Sequence, residues 1–468
     1  MKKISYLSNS LISGTLILTF TGILSRIIGF FYRIFLSRTI GAEGLGIYQL
    51  IFPVFALLIS VSASGIQTAV SRYCAQCETD REARKYLYAG LLLSMTLSIL
   101  CMAVVHQKAE WIGLHILAEK RCIPLLRIMS WALPFASLHS CVNGYYYGQK
   151  KTVIPAVSQL LEQVVRVGGV YLIACIYLEN HSVLTAQAAV WGLFIGEFAS
   201  ALFSVTMMRL SKNALPTSAQ SAARTFSLRN RRSDFSRSVS KKTGSFRSSM
   251  RNLISLATPL TINRILLSVF QSVEALLIPI QLRAFGYTNA DALSVYGILT
   301  GMVFSTIMFP AVLSNSLSVM LLPAVSKACA ANRNDLVRKA VRQTVESCTA
   351  LGFLCTFGFL LSGNFIGTHL FHNTLAGVYI ETLSWICPFI FLSSTLGSIL
   401  HGLGKATTTL LINLSGSLIR IGFIYTGIPI LGLKSYLWGM LVSQIWTAVS
   451  AYLCIRRFAI RRNCQKRP

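Results

Sequence analysis

The sequence predicts an all-α polytopic membrane protein. About twelve transmembrane helices form two six-helix repeats around a central cavity, with the N- and C-termini cytoplasmic. Three observations carry this: a composition too apolar for water, a register that repeats between the two halves, and a one-sided distribution of basic residues. Only 12% of the 468 residues are charged while 53% are hydrophobic, and the mean hydropathy is +0.60. A soluble chain carries about 25% charged residues, so a soluble enzyme and a disordered protein are both excluded.

A crossing of the hydrocarbon core needs about 20 mostly apolar residues. Such stretches recur at 11–36, 45–70, 86–106, 122–148, 153–178, 184–208, 252–281, 293–323, 343–363, 378–402, 407–430 and 435–455. Several exceed a straight crossing, which implies tilting, bending or projection into water. Met1-Lys2-Lys3 before an apolar run resembles a signal peptide. The run is too long, is interrupted by Arg26 and lacks a small-x-small cleavage site, so it reads as a retained first helix.

Lys and Arg total 43 against 15 Asp and Glu, a formal net charge of +28. On a soluble protein that excess would point to nucleic acid, but cytoplasmic loops of membrane proteins collect Lys and Arg. With the N-terminus inside, 31 basic residues fall on inner segments and 6 on outer loops (Arg38, Lys108, Lys120, Arg121, Arg283, Lys434). That asymmetry places both ends in the cytoplasm and removes nucleic acid as a partner. The segment 209–251 holds SLRNRRSDFSRSVSKKTGSFRSSMR, with Asp234 its one acid. It reads as a disordered cytoplasmic linker lying on anionic phospholipids. The organisation is therefore a lobe at 1–208, the linker, a lobe at 252–457 and a basic tail at 458–468.

The two halves repeat. Ser130-Trp131-Ala132-Leu133-Pro134-Phe135 matches Ser384-Trp385-Ile386-Cys387-Pro388-Phe389 at an offset of 254. The same offset pairs Gly148 with Gly402, Lys151 with Lys405, Arg166 with Arg420, Gly168 with Gly422 and Tyr171 with Tyr425. With small shifts, Trp191-Gly192 corresponds to Trp438-Gly439, and Ala69-Val70-Ser71-Arg72 to Ala324-Val325-Ser326-Lys327. Internal repeats mark secondary transporters. Units of six spans enter the membrane in the same sense, so the symmetry axis runs along the membrane normal and the substrate site falls between the halves.

The GxxxxGK[ST], HExxH and GxSxG motifs are missing from the chain, so neither ATP hydrolysis nor covalent catalysis is expected. The reading is a non-enzyme with no cofactor, driven by an ion gradient, the membrane potential or substrate concentration. Cys74 and Cys77 form a CxxC with no second pair or His nearby, and no metal or redox role is assigned to them.

Six arginines lie inside the expected spans: Arg26, Arg33, Arg127, Arg166, Arg264 and Arg420. An arginine at mid-bilayer costs at least about 2.5–3.5 kcal/mol, so each must meet a watery cavity, an acid or the interface. Arg26 is deep in a first helix that holds no acid, which points to anion contact or to a distant carboxylate. Arg33 is two turns on and near the same face, close enough to the outer end to snorkel. Arg264, in the matching helix of the second half, would face Arg26 across one cavity if the helices meet at the axis. Arg166 has Glu162 at i−4, favourable ion-pair spacing, whereas Arg420 has no local acid. Arg127 is near a span end, where snorkelling is the default. Arg26, Arg33, Arg264 and Arg420 are the substrate-binding candidates. Glu162, Glu197 and Glu274 are candidates for proton or sodium coupling, with charge compensation as the alternative. Pro53, Pro134, Pro155, Pro310 and Pro388 interrupt spans, and the repeat of Pro134 with Pro388 predicts the same bend in both lobes.

Ser25-Arg26-Ile27-Ile28-Gly29-Phe30 through Gly41-Ala42, then Gly44-Leu45-Gly46-Ile47-Tyr48, resembles the opening of the stage V sporulation protein B family and related polysaccharide exporters. Tyr296-Gly297-Ile298-Leu299-Thr300-Gly301, Pro310-Ala311-Val312-Leu313 and Leu322-Pro323-Ala324-Val325-Ser326 resemble that family's second-half signature. The resemblance covers nearly the whole chain. It implies the multidrug/oligosaccharidyl-lipid/polysaccharide exporter superfamily: two six-helix lobes around a cavity that opens alternately to either side of a bacterial plasma membrane. Lipid II flippases, which are similar, meet the lipid-linked pyrophosphate with cavity arginines. Arg26 aligns with one of these; a second falls on Tyr32, with Arg33 adjacent. The expected activity is flipping of an undecaprenyl-pyrophosphate-linked wall or polysaccharide precursor to the outer leaflet, with spore cortex peptidoglycan as one destination. Two alternatives stay open: an ion-coupled multidrug antiporter of the same fold, and a non-transporting scaffold whose partners are wall-synthesis proteins.

Overall fold

The computed structural model describes residues 2–77, 79–179, 184–213, 246–311, 314, 325 and 334–464. Most of the expected 209–251 linker and its lipid contact, and the end of the 458–468 tail, lie outside these residues. The regular structure of the described residues is helical, without a strand.

Among the described residues, twelve helices are long and apolar enough to cross a membrane. In order they are Ile17–Thr39, Gly41–Gln76, Asp80–Ile116, Cys122–Gly148, Val153–Tyr177, Ala186–Leu210, Phe246–Phe285, Asn289–Ile307, Lys339–Leu370, Thr374–Gly402, Ala406–Leu431 and Leu433–Arg457. Several run past their apolar cores. The third starts at Asp80, where the Thr79 side chain accepts the backbone N–H of Glu82 at 3.3 Å. That is an ordinary N-cap, placed ahead of the apolar run. The seventh helix has 40 residues, so it is about 60 Å long at ~1.5 Å per residue, twice the hydrocarbon thickness. Its basic inner end, with Arg247 and Arg251, extends towards the cytoplasm.

The prolines divide by position. Pro53 and Pro134 sit inside helices that continue around them, and Pro155 lies in the first turn of the fifth span, where its missing N–H breaks no bond. Pro310 lies just beyond the helix that ends at Ile307. Pro388 follows a 3-10 turn at Ser384–Ile386. Its ring cannot donate to the Ser384 carbonyl, which accepts the Cys387 N–H of that turn and the Thr356 hydroxyl at 2.8 Å. The repeat-related prolines thus sit in different local structure: Pro134 within an unbroken α-helix, Pro388 after a tightened turn. Pro259 and Pro279, both inside the seventh helix, escaped the sequence reading.

The lobes meet at their outer ends. Gly46 and Gly297 let the second and eighth spans touch backbone to backbone: a Cβ on Gly46 would lie 2.0 Å from the Leu293 carbonyl oxygen, and one on Gly297 2.1 Å from that of Ala42. Without an aqueous driving force between helices, close approach of small residues is what membranes use. Polar contacts ring this seam. Arg38 donates to the carbonyls of Leu370 and His369 at 2.8 and 2.7 Å, and Asn289 donates to Glu119 at 2.7 Å. Arg121 pairs with both Glu119 and Glu43. Beneath them Phe30 packs on Phe309 and Phe371. On the inner side the second and seventh spans stay in contact, through the Ser60–Ser268 hydroxyls at 2.7 Å and the Tyr73 hydroxyl donating to the Asn252 carbonyl at 3.2 Å.

Two outcomes follow for the outer seam. Gly297→Leu removes the backbone contact, so a cysteine at Gln49, in a background without the native thiols, becomes reactive to an impermeant thiol reagent added outside. In the unaltered seam that cysteine stays protected. The second concerns Glu119: burial raises its pKa, but hydrogen bonds from Arg121 and Asn289 outweigh this and hold it below its ordinary value. Its contribution to closure is therefore full above the ordinary carboxylate value of about 4.3 and is lost as the pH falls through the depressed one. Outside labelling should rise in that acidic window, and Glu119→Gln should remove the dependence.

Candidate functional site

Below the outer seam, between the first, second, fifth and eighth spans, lies a cavity of about 340 Å³ lined by residues of both lobes. Arg26, Arg33 and Arg166 all reach it, with Tyr32, Tyr48, Gln49 and Gln163 beside them and Phe30, Phe52, Met308 and Phe309 as apolar wall. The first helix delivers Arg26 and Arg33 because residues seven apart share a helix face. Neither arginine has a carboxylate partner among the described residues. The Ser25 hydroxyl and the Arg166 Nε are buried without a hydrogen-bond partner there. Donors in excess of acceptors, in a partly desolvated space, suit an anion.

Behind this wall the N-terminal lobe holds a buried ionic cluster. Arg166 pairs with Glu162, one turn away on its own helix, and with Glu197 of the sixth span at 3.5 Å. Glu197 also meets His139 Nε2 at 2.7 Å. Gly192 and Gly196 make this possible: a Cβ at Gly192 would strike Val170, and one at Gly196 would lie 2.9 Å from the Glu162 carbonyl. The fifth and sixth spans therefore pack closely enough to place Glu197 on Arg166. Ligand atoms of His139, Glu162 and Glu197 lie within 4.8 Å of one another, a spacing that a metal ion could bridge. Arg166 already pairs with both carboxylates and His139 with Glu197, so an ion would have to compete with them.

The C-terminal lobe repeats the arginine with another acid. Arg420 donates to Glu274 of the seventh span at 2.8 Å and to the Ser417 and Ser443 hydroxyls at 3.1 and 3.4 Å. The Tyr436 hydroxyl donates to the same Glu274 oxygen at 3.0 Å.

Of the sequence candidates, the structure brings Arg26 and Arg33 to one cavity and joins them there with Arg166, which the sequence had assigned to local pairing with Glu162. That pairing is present too. Arg264 is exposed on the seventh span and is not among the residues lining this cavity or the one beside Arg420. Arg420 lies in the other lobe against Glu274, apart from the arginine cavity. His139 and Tyr436 escaped the sequence reading; a histidine or tyrosine in an apolar helix gives no signal until its neighbour is known.

A family model described as polysaccharide biosynthesis protein matches residues 11–328. The chain belongs to this family. A second model, described as MatE, matches residues 271–426. The chain is 24% identical over 417 residues to stage V sporulation protein B of Bacillus subtilis (strain 168), covering 88% of this chain and 77% of that one. It is 22% identical over 423 residues to the lipid II flippase MurJ of the same organism, covering 85% and 74%. An inward-facing multidrug resistance MATE family transporter of the MOP superfamily superposes with a TM-score of 0.72 at 12% identity, covering 94% of this chain and 96% of that one. The family member described here is thus a multi-pass bacterial membrane protein of the flippase and transporter class, with the two-lobed fold of that superfamily.

The ion pair in the C-terminal lobe has a measurable consequence. Arg420→Ala leaves Glu274 buried without its countercharge and should cost up to about 3–5 kcal/mol, an upper bound for a pair that borders a cavity. Arg420→Met combined with Glu274→Leu should recover most of that loss. Thermal unfolding of the purified protein distinguishes the two; equal melting of the single and double variants would remove the pair as a structural element.

Proposed function

We propose that the protein flips a lipid-linked saccharide carrying a pyrophosphate from the inner to the outer leaflet by alternating access. The observation that carries this is the convergence of Arg26, Arg33 and Arg166 on one inter-lobe cavity below a closed outer seam. Guanidinium groups grip phosphate oxygens bidentately, and do so strongly where water is scarce. In this reading the pyrophosphate enters the arginine cavity while the lipid tail stays in the bilayer. Parting of the Gly46–Gly297 seam then releases the head outside. The membrane potential can bias a charged step by about 2.3 kcal/mol per charge per 100 mV. The names of the relatives, a lipid II flippase and a sporulation protein, support a wall precursor as cargo, with sporulation as its setting.

An antiporter of cationic drugs would need acids free to meet its substrate. Glu162 and Glu197 face Arg166 and His139, and Glu274 faces Arg420 and Tyr436, so each of the three acids is already engaged within its lobe. A scaffold that moves nothing would have no use for unpaired arginines in a cavity.

The test is the rate at which a labelled lipid-linked precursor becomes accessible at the outer surface. A charge-assisted hydrogen bond is worth about 1.5–3 kcal/mol, so Arg26→Ala should slow exposure roughly tenfold or more. Arg26→Lys should fall between, since it keeps the charge and loses the fork. Unimpaired exposure with Arg26→Ala would remove Arg26 from the mechanism.

A further inference from the structure

The internal repeat sets titratable groups in one lobe against neutral groups at the corresponding positions of the other. At the offset of 254, His139 corresponds to Ser393 and Glu162 to Gly416. In the register fixed by Trp191-Gly192 and Trp438-Gly439, Glu197 corresponds to Gln444. Both corresponding pairs meet. Where His139 and Glu197 lie 2.7 Å apart, Ser393 donates to the Gln444 carbonyl oxygen at 3.2 Å. The same contact is made once between titratable groups and once between neutral ones.

Beside the neutral pair lies a second cavity, of about 470 Å³, between the seventh, tenth, eleventh and twelfth spans. A volume of roughly 300–1,000 Å³ is usual for small-molecule sites. Its walls carry hydroxyls and carboxamides, with Gln271, Ser393, Asn413, Gln444 and Thr447 among them and His401 at the cytoplasmic end. Its arginine, Arg420, is held against Glu274 and two serine hydroxyls, so it brings no net charge to the chamber. The amides of Gln271 and Asn413 are exposed into it and have no side-chain partner among the described residues. Such groups offer donors and acceptors in equal measure. They match a ligand rich in hydroxyl and amide groups, and gain little from a phosphate.

We propose that this chamber receives the uncharged saccharide of the cargo, so that the two lobes divide the head group between them. The arginine cavity takes the pyrophosphate and the C-terminal chamber takes the sugar. The assignment rests on the flippase reading and adds to it the chemical class that the second cavity recognises. The seventh span joins the two regions: Ser268 and Ser272 face the second span, while Leu267 and Gln271 line the chamber.

The experiment measures binding of two probes to the full-length protein in lipid nanodiscs. One is a polyprenyl pyrophosphate bearing an N-acetylated disaccharide; the other is the same polyprenyl pyrophosphate without sugar. Asn413→Leu and Gln271→Leu, on different helices, should each weaken binding of the glycosylated probe about five- to tenfold, the worth of a lost hydrogen bond or two. Binding of the bare probe should not change, which also certifies the fold of each variant. Glycosylated probe bound as tightly by both variants as by the unaltered protein would overturn the proposal. Equal weakening of both probes by both variants would overturn it as well. Arg26→Ala serves as the separate arm: it should weaken both probes, and if it weakens neither, the pyrophosphate reading fails irrespective of the chamber result.

Discussion

A guanidinium cannot be left alone in hydrocarbon, and the interior of this protein is arranged around that constraint. The charge survives only if a carboxylate or a water-filled space is brought to it, at a cost otherwise of several kcal/mol. Arg166 and Arg420 receive carboxylates, from Glu162 and Glu197 in one lobe and from Glu274 in the other. Arg26 and Arg33 receive a cavity. The close helix packing at Gly192 and Gly196, the placement of Glu274 on the seventh span and the aromatic wall at Phe30 all serve one or other of these two solutions.

The two solutions have different consequences. A compensated arginine stiffens its lobe, because parting it from its acid leaves two uncompensated charges. An uncompensated one is available to a ligand. The repeat-related pair Arg166 and Arg420 therefore gives each lobe a rigid interior, while Arg26 and Arg33, on the helix that borders the cavity, hold the unspent charge. Rigid lobes joined by a glycine seam form the kind of device in which rocking is cheaper than internal rearrangement. The seam itself depends on the missing side chains of Gly46 and Gly297 more than on any attraction between them.

Much of this was legible in the sequence. The number of spans followed from hydropathy, because the bilayer allows few alternatives to apolar helices of about 20 residues. The repeat at Ser130–Phe135 and Ser384–Phe389 displayed the two-lobed plan. The i−4 spacing of Glu162 and Arg166 gave that pair outright, since it is local in the chain. The partners of Arg420 and Glu197 were out of reach, for the opposite reason. Glu274 lies 146 residues from Arg420, and His139 lies 58 from Glu197, so neither pairing has a periodicity to reveal it.

By itself, the sequence determined that the chain lies in the membrane, which way it faces, that it is built twice over and that it carries charge where charge is expensive. Those properties are sums over local composition and spacing, and the bilayer reads them one helix at a time. Only the tertiary structure decided which arginines are spent and which remain for a ligand. Arg264, the apparent counterpart of Arg26, is not in the lining of the arginine cavity, and Arg166, apparently occupied, was brought to its wall. The direction in which a helix presents a side chain depends on the packing of its neighbours. That packing is fixed here by small residues far apart in the chain, whose effect appears only when the helices meet.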